Sequence, residues 1–362
     1  MPADITNALR RVLNVRNPRR VDVLIEAVSG QGDDAAEALD RRGVEYTEIN
    51  LRGQSVFEAT VQADSIEELA QVSSFLRIDH SPTFSATGAV ADPGRGAKTE
   101  AGDVRRISLY DATLELNVPD AWEQAGTRGE GVKIGMVDAP IDADHPAIDH
   151  AVAETAGPQN PSAHGTWVAS AMVAQEWESN RGRVRGIAPE ADLYAHGAMS
   201  EGGGKAADII EGIEYLLSKR VDVINLSLGG PHSDVLQTAV GRARDNGAVV
   251  VSSAGNGGPA IGSVTCPAHH QEVVAVGATT TQGSSPDFTA RGPGWVDAYQ
   301  KPNVTAYGGG ASIGGHDLEI TETILGAAPN QDAKYLVGTS MAAPQAAGIA
   351  ALRAAANRSA EE

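Results

Sequence analysis

The pattern of apolar and polar positions divides the chain into two parts. Between residues 21 and 86, short apolar runs alternate with helical stretches in the order strand, helix, strand, strand, helix, strand. From Ile107 onward the apolar runs also alternate with helical stretches, a pattern typical of buried parallel strands in an α/β sheet. The clearest of these runs cover residues 132–137, 221–226, 248–252 and 273–276. Because ligands of such sheets bind at the carboxyl ends of the strands, we expect the functional residues there.

The first part predicts a small split βαβ domain of the ferredoxin-like type over residues 21–86. Residues 1–20 hold five arginines but no apolar stretch of signal-peptide length, so we interpret them as a solvated basic tail. Residues 87–106 contain several glycines and almost no large apolar residue, which indicates an exposed linker. Residues 107–362 then form the second domain.

Composition narrows the range of partners rather than the fold. The 362 residues include 28 basic and 47 acidic side chains, for a formal net charge of -19. A net negative charge of this size repels nucleic acid and anionic membranes, so we expect neither as a partner. The single cysteine, Cys266, excludes an intramolecular disulfide and a zinc site built from cysteines. Since no signal peptide is seen, we expect a cytoplasmic protein, or a secreted one if the N-terminus is incomplete.

Three motifs carry candidate chemistry. The apolar strand 132–137 delivers Asp138 at its carboxyl end, and a second motif places His164 beside a glycine at the start of a helix of small residues. In the third motif, Gly-Thr-Ser-Met-Ala-Ala-Pro, Ser340 falls in the first turn of a helix, where negative charge is favoured. Each residue also has a plainer interpretation: a capping aspartate, a hydrogen-bonded core histidine and an N-cap serine.

The order Asp138, His164, Ser340 and the residues around each of them resemble the subtilases, the subtilisin-like serine proteases. The resemblance extends over residues 107–353. Further matching strings stand at residues 186–189 (Gly-Ile-Ala-Pro), 225–230 (Asn-Leu-Ser-Leu-Gly-Gly), 253–257 (Ser-Ala-Gly-Asn-Gly) and 301–306 (Lys-Pro-Asn-Val-Thr-Ala). The fold it implies is α/β: a subtilisin-like parallel sheet flanked by helices, preceded by a small ferredoxin-like α+β propeptide domain. The activity it implies is that of a serine endopeptidase acting on polypeptides through an acyl-enzyme on Ser340.

The resemblance also implies a role for each site residue. His164 would accept the proton of Ser340 and return it to the leaving amine, while Asp138 holds the imidazole in place. Asn256 matches the side chain of the oxyanion hole. The substrate-binding residues implied are Ser227, Leu228, Gly229, Ala254 and Gly255. No metal and no other cofactor are expected.

The same resemblance implies a function for the first domain. Residues 21–86 would be a propeptide that assists folding and occupies the cleft as an intramolecular inhibitor until it is cut away. We expect self-cleavage between His80 and Arg106, at a bond that the sequence leaves unassigned. The alternative is a structural domain that stays permanently attached.

Two features leave further alternatives open. Ala139 and Pro140 stand where subtilases usually have threonine or serine followed by glycine, so a hydroxyl beside Asp138 is lost. A catalytically silent peptide-binding module is therefore one alternative function, and a dedicated processing protease for one partner peptide is another. Cys266 would lie near the first specificity pocket, either open to thiol reagents or buried and inert.

Overall fold

The elements of the fold are taken from a computed structural model, which describes residues 2–51, 53–86, 88–89, 104–200, 203–293, 300–314 and 317–359. In these ranges the helices are α1 (Asn7–Arg16), α2 (Gly32–Asp40), α3 (Ile66–Leu69), α4 (Leu109–Glu115), α5 (Val118–Ala125), α6 (Ala163–Val173), α7 (Ala206–Ser218), α8 (Asp234–Asp245) and α9 (Thr339–Ser359). The first strands are β1 (Asp4–Ile5), β2 (Arg20–Ala27), β3 (Tyr46–Leu51), β4 (Gln54–Gln62), β5 (Phe75–His80), β6 (Thr83–Ala86), β7 (Gly88–Ala89) and β8 (Arg105–Ser108). The later strands are β9 (Lys133–Asp138), β10 (Val152–Ala156), β11 (Trp177–Ser179), β12 (Gly182–Val184), β13 (Asp192–Gly197), β14 (Gly204–Lys205), β15 (Val223–Leu226), β16 (Leu228–Gly229), β17 (Val249–Ser253), β18 (Val273–Thr279), β19 (Val304–Tyr307), β20 (Gly310–Gly314), β21 (Asp317–Ala328) and β22 (Asp332–Gly338).

The N-terminal sheet has the strand order β1-β5-β2-β4-β3. Strand β2 runs antiparallel to both β4 and β5, and β3 pairs antiparallel with β4. Its inner residues, among them Val23, Ile25, Phe57 and Ile78, are fully buried and form one hydrophobic cluster with residues of α1 and α2. The order strand, helix, strand, strand, helix, strand is the one that the sequence predicted for a ferredoxin-like domain.

Residues 1–20, interpreted from the sequence as a tail, instead hold β1 and α1. The hydroxyl of Thr6 accepts a hydrogen bond from the Leu9 backbone at 3.2 Å and so caps α1, and the Leu9 side chain is fully buried. Val12 and Leu13 pack partly against the same cluster. Positions 9, 12 and 13 have the spacing of one helix face, and the arginines between and after them hid this face in the sequence.

The second domain is built on a seven-stranded sheet of order β10-β13-β9-β15-β17-β18-β19. Every neighbouring pair in it is parallel. Residues of α6 and α9 share one hydrophobic cluster, and residues of α7 and α8 share another. The predicted α/β class is therefore confirmed, and the carboxyl ends of β9, β15 and β17 meet at one edge of the sheet.

The two domains meet along the segment that joins them. Strand β6 lies between β14 and β16 and is antiparallel to both, and β7 pairs antiparallel with the end of β22. Strand β8 pairs in parallel with β21. Of the predicted linker 87–106, residues 87 and 90–103 lie outside the described ranges, whereas Gly88–Ala89 and the start of β8 are strands.

A second contact between the domains lies at the N-terminus of α8. Oδ2 of Asp79, at the end of β5, accepts hydrogen bonds from the Ser233 hydroxyl at 3.1 Å and from the backbone nitrogens of Asp234 at 2.8 Å and Val235 at 3.3 Å. The other oxygen of Asp79 accepts from the Thr6 hydroxyl at 2.5 Å. A carboxylate of the first domain therefore caps a helix of the second. None of the helices in the described ranges is both long and apolar enough to span a bilayer.

Candidate active site

Asp138 and His164 come together at the carboxyl end of β9. Oδ1 of Asp138 lies 2.7 Å from Nδ1 of His164 and also accepts from the Ala139 backbone at 2.7 Å. Ser162 caps α6 by accepting from the His164 backbone at 3.2 Å. A Cβ at Gly165 would lie 2.0 Å from the Ala139 carbonyl oxygen, so only glycine lets α6 approach the strand end this closely.

One nitrogen of His164 and one oxygen of Asp138 have no hydrogen-bond partner among the described residues, and these atoms indicate the chemistry of the pair. Nε2 of His164 is buried and has no hydrogen-bond partner in the described part of the chain, so it remains open to accept a proton. Oδ2 of Asp138 is likewise unpartnered among the described residues. The residue that follows it, Ala139, carries no hydroxyl, which is the local consequence of the departure noted in the sequence.

Ser340 is the second residue of α9 and faces Ser227 in a reciprocal contact. The Ser340 hydroxyl donates to the Ser227 carbonyl at 2.9 Å, and the Ser227 hydroxyl donates to the Ser340 carbonyl at 3.1 Å. Asn225 donates in turn to the Ser227 hydroxyl at 3.0 Å. In a regular helix the Ser340 carbonyl would pair with the backbone of residue 344, but Pro344 has no N–H. Ser227 therefore satisfies a carbonyl that the proline leaves without its helical partner.

We expect Ser227→Ala to lower the free energy of unfolding by about 1–3 kcal/mol, because a buried carbonyl loses its partner. In a Pro344→Ala background, residue 344 regains an N–H for this carbonyl, so the same change should cost clearly less. Urea unfolding of the four proteins, all made with Ser340→Ala to prevent self-cleavage, measures both effects. Equal losses in the two backgrounds would contradict the assignment.

Asn256 follows β17 and is held by the residue before the serine. Its Oδ1 accepts from the Thr339 backbone at 3.0 Å and from the Thr339 hydroxyl at 2.9 Å. The same hydroxyl accepts from the Gly255 backbone at 3.2 Å. Because Oδ1 is occupied in this way, Nδ2 is the end of the amide that can donate to a developing oxyanion. Thr339 was not singled out in the sequence, although it adjoins Ser340.

Two of the residues predicted to bind substrate, Leu228 and Gly229, already pair with strand β6 of the same chain. Gly229 pairs with Ser85 and Leu228 pairs with Ala86, in antiparallel register. Ala254 is fully buried, and Gly255 has a φ of 111°, which only glycine adopts readily. An extended segment added to an exposed strand edge is a common mode of peptide recognition.

Two further contacts of strand β6 were missed by sequence reasoning. Its other edge pairs with β14, where Gly204 faces Phe84. The Phe84 ring is fully buried against Gly230, where a Cβ would lie 2.7 Å from a ring carbon. The run of three glycines before Lys205 was the available signal for β14, because such a run permits close approach of another backbone.

Cys266 lies beside these elements and forms an isolated bridge with Gly230. Its side chain is 1% exposed, and burial raises the pKa of its thiol far above the ordinary range. A protonated, buried thiol is a poor nucleophile, which favours the inert alternative.

Comparisons with known proteins identify the family of this chain. A family model described as the Subtilase family matches residues 129–362. Subtilisin E of Bacillus subtilis (strain 168) is 35% identical over 242 residues, which are 64% of this chain and 58% of that protein. The major intracellular serine protease of the same organism is 31% identical over 262 residues, 67% of this chain and 74% of that protein. The chain belongs to the subtilase family, as the sequence motifs predicted.

A solved structure gives the same result for the fold. The prenylagaramide maturation protease PagA aligns with a TM-score of 0.56 and 30% sequence identity. The alignment covers 68% of this chain and 82% of that chain. The match to subtilisin E and to subtilisin amylosacchariticus, by contrast, spans just under three fifths of the length of those proteins.

Proposed function

We propose that this protein is a serine endopeptidase made as a zymogen that cleaves itself. The observation that carries the proposal is that one segment of the chain pairs on both sides of Ser340. On one side, strand β6 pairs with β16. On the other side, β7 pairs with Val337 and Gly338, which immediately precede α9 and its Ser340. A substrate strand that passes through a protease cleft has this arrangement.

The chemistry follows from the positions of the three side chains. Nε2 of His164 takes the proton of the Ser340 hydroxyl as the oxygen attacks the carbonyl carbon, and Asp138 stabilises the imidazolium that forms. Asn256 and the N-terminus of α9 stabilise the oxyanion. The imidazolium then protonates the leaving amine, and water repeats the sequence to release the acid from Ser340. In the zymogen the Ser340 hydroxyl donates to Ser227, so attack requires its rotation toward His164.

The strand register supports one particular processing bond. Along the antiparallel ladder, Ser85 faces Gly229 and Ala86 faces Leu228. The residue before Leu228 is Ser227, whose carbonyl accepts from the Ser340 hydroxyl. On the far side, Gly88 faces Gly338. We therefore assign the cut to the bond between residues 87 and 88.

N-terminal sequencing of the processed protein tests this assignment. We expect a large fragment that begins at Gly88 and a small fragment that ends at residue 87, both confirmed by intact mass. A first residue anywhere else in the segment 81–106 would overturn the register. A chain that stays whole and hydrolyses no peptide would instead support the silent binding module.

A second candidate function is favoured by one comparison. The solved neighbour PagA is described as a maturation protease, so a dedicated processing role for one partner peptide is the alternative specificity. Casein and a set of unrelated peptides distinguish the two. Broad cleavage supports a general endopeptidase, and failure on all of them by a protein that has processed itself supports the dedicated role.

A further inference from the structure

Three histidines meet behind the cleft, on two loops that leave its walls. His232 lies between β16 and α8, and His269 and His270 follow Cys266 by three and four residues. The two loops are joined by a pair of backbone hydrogen bonds, from Gly230 to Cys266 at 3.0 Å and from Cys266 to Gly230 at 3.1 Å. The cluster is separate from Asp138, His164 and Ser340, and the proposed mechanism does not use it.

The ring nitrogens of the three histidines are close enough to share one ion. Each side chain offers a nitrogen, and the three nitrogens lie within 4.8 Å of one another. Nδ1 of His232 and Nε2 of His269 are 2.9 Å apart, and the rings of His269 and His270 have centroids 4.2 Å apart. Ligand nitrogens about 2.0–2.1 Å from a zinc ion are separated by a little over 3 Å, so small side-chain shifts suffice.

Burial leaves these side chains in the form that binds metal. His269 is 3% exposed and His270 is 2% exposed. Burial, together with neighbouring positive groups, lowers the pKa of His269 to about 4 and that of His270 to about 2. The metal ligand is the neutral imidazole, which is also the form that burial favours.

The contacts of His232 place its Nδ1 atom toward the other two histidines. Oδ1 of Asp234 lies 3.1 Å from Nε2 of His232, and a carboxylate can only accept, so Nε2 carries the proton. Nδ1 of His232 is the nitrogen that faces Nε2 of His269, 2.9 Å away. A carboxylate bound to the outer nitrogen of a histidine is the usual support of a zinc ligand.

Two carboxylates, one ammonium group and one thiol lie near the three histidines. The carboxylates of Asp79 and Asp234 lie on the side of α8. Lys301 opposes a cation from another side, but its ammonium donates to the Val273 carbonyl at 2.5 Å and to Asn303 at 3.2 Å. Sγ of Cys266 lies 3.3 Å from Nε2 of His270. Cys266 is not one of the three side chains whose ligand atoms all lie within 4.8 Å of one another, so its thiol would join a shared ion only after it shifts and loses its proton.

We propose that His232, His269 and His270 bind one divalent transition-metal ion of the zinc type, with Cys266 or water as the fourth ligand. Sequence reasoning missed this site because His232 stands 37 residues before His269 in the chain. The ion would tie the loop after Leu228–Gly229 to the loop after Cys266. Its binding does not depend on the proposed peptidase activity, although a bracing role for the cleft does.

Zinc binding is tested on the full chain with Ser340→Ala, after removal of metal by a chelator and dialysis. We expect one zinc per chain by elemental analysis, and a melting temperature that rises with zinc and falls again with chelator. Cobalt should give the visible absorption of a tetrahedral site. Because this protein is inactive by design, a failure of the peptidase proposal leaves the result unaffected, and uptake of no metal overturns the site.

Variants assign the ligands. His269→Gln and His270→Gln should each weaken zinc binding by more than about 100-fold, and Asp234→Asn by about 10- to 100-fold through its effect on His232. His150→Gln, an exposed histidine outside the cluster, is the matched control and should bind as before. A loss of affinity in Cys266→Ser assigns the fourth position to the thiolate, and an unchanged affinity assigns it to water. Equal zinc uptake by all the histidine variants overturns the proposal without reference to their stability.

Discussion

Replacing Ser340 by alanine should leave the chain uncut and lower kcat on peptides by about 10⁶-fold, the size expected when a protease of this type loses its nucleophile. The physical reason is that Ser340 supplies the attacking oxygen, whereas the neighbouring Thr339 hydroxyl is held by Asn256. Intact mass should show one full-length chain, and a fluorophosphonate probe should add to the wild type but not to the variant.

Ser359→Ala is the matched control, because Ser359 lies on the same helix and donates only to the Ala355 carbonyl in its last turn. It should process itself and react with the probe as the wild type does. Adding a trace of processed wild type to the Ser340→Ala protein shows whether the cut can also occur between molecules. Self-cleavage or probe labelling that persists in Ser340→Ala would contradict the assignment of the nucleophile.

Replacing Phe84 by alanine should weaken the hold of the cut propeptide on the cleft by about 10²–10³-fold. Phe84 is fully buried at the junction of the domains, against Gly230. Truncating a buried phenylalanine costs about 3–5 kcal/mol, and each 1.4 kcal/mol is tenfold in a dissociation constant. The measurement is the rate of peptide hydrolysis as the processed complex is diluted, since dissociation releases active enzyme.

Leu76→Ala provides the comparison, because Leu76 is an equally apolar residue of the same domain that is 45% exposed. It should leave the dissociation constant within a few fold of the wild type. If both variants release the propeptide equally easily, the loss reflects destabilisation of the small domain rather than the contact with Gly230. If neither does, Phe84 is not an anchor of the inhibitor.

The fold and the central site were open to prediction because their signals are local. Asp138 ends an apolar strand, His164 begins a helix of small residues, and Ser340 lies in a long specific string. In a parallel sheet the ends of such strands lie at one edge, so residues distant in the chain are brought together. The alternation of short strands and helices likewise predicted the ferredoxin-like domain.

The remaining features depend on contacts that no local pattern encodes. Helix α1 went unrecognised because its apolar face is narrow and arginines surround it. The role of Ser227 as partner of the Ser340 carbonyl requires knowing that the residue before β16 lies beside the first turn of α9. The histidine cluster joins two loops only because Gly230 and Cys266 form a bridge. Each of these is a tertiary contact between segments far apart in sequence.

The cap that Asp79 places on α8 has a consequence for the order of assembly. The first backbone nitrogens of α8 are paired by a residue of the other domain, while the helix's own cap, Ser233, accepts from the Leu236 nitrogen at 3.3 Å and itself donates to Asp79. The first turn of α8 is therefore capped by a residue of the other domain of the same chain. If the chain processes itself as proposed, water takes the place of the Asp79 carboxylate when the small domain leaves, and α8 then keeps its first turn without the residue that capped it.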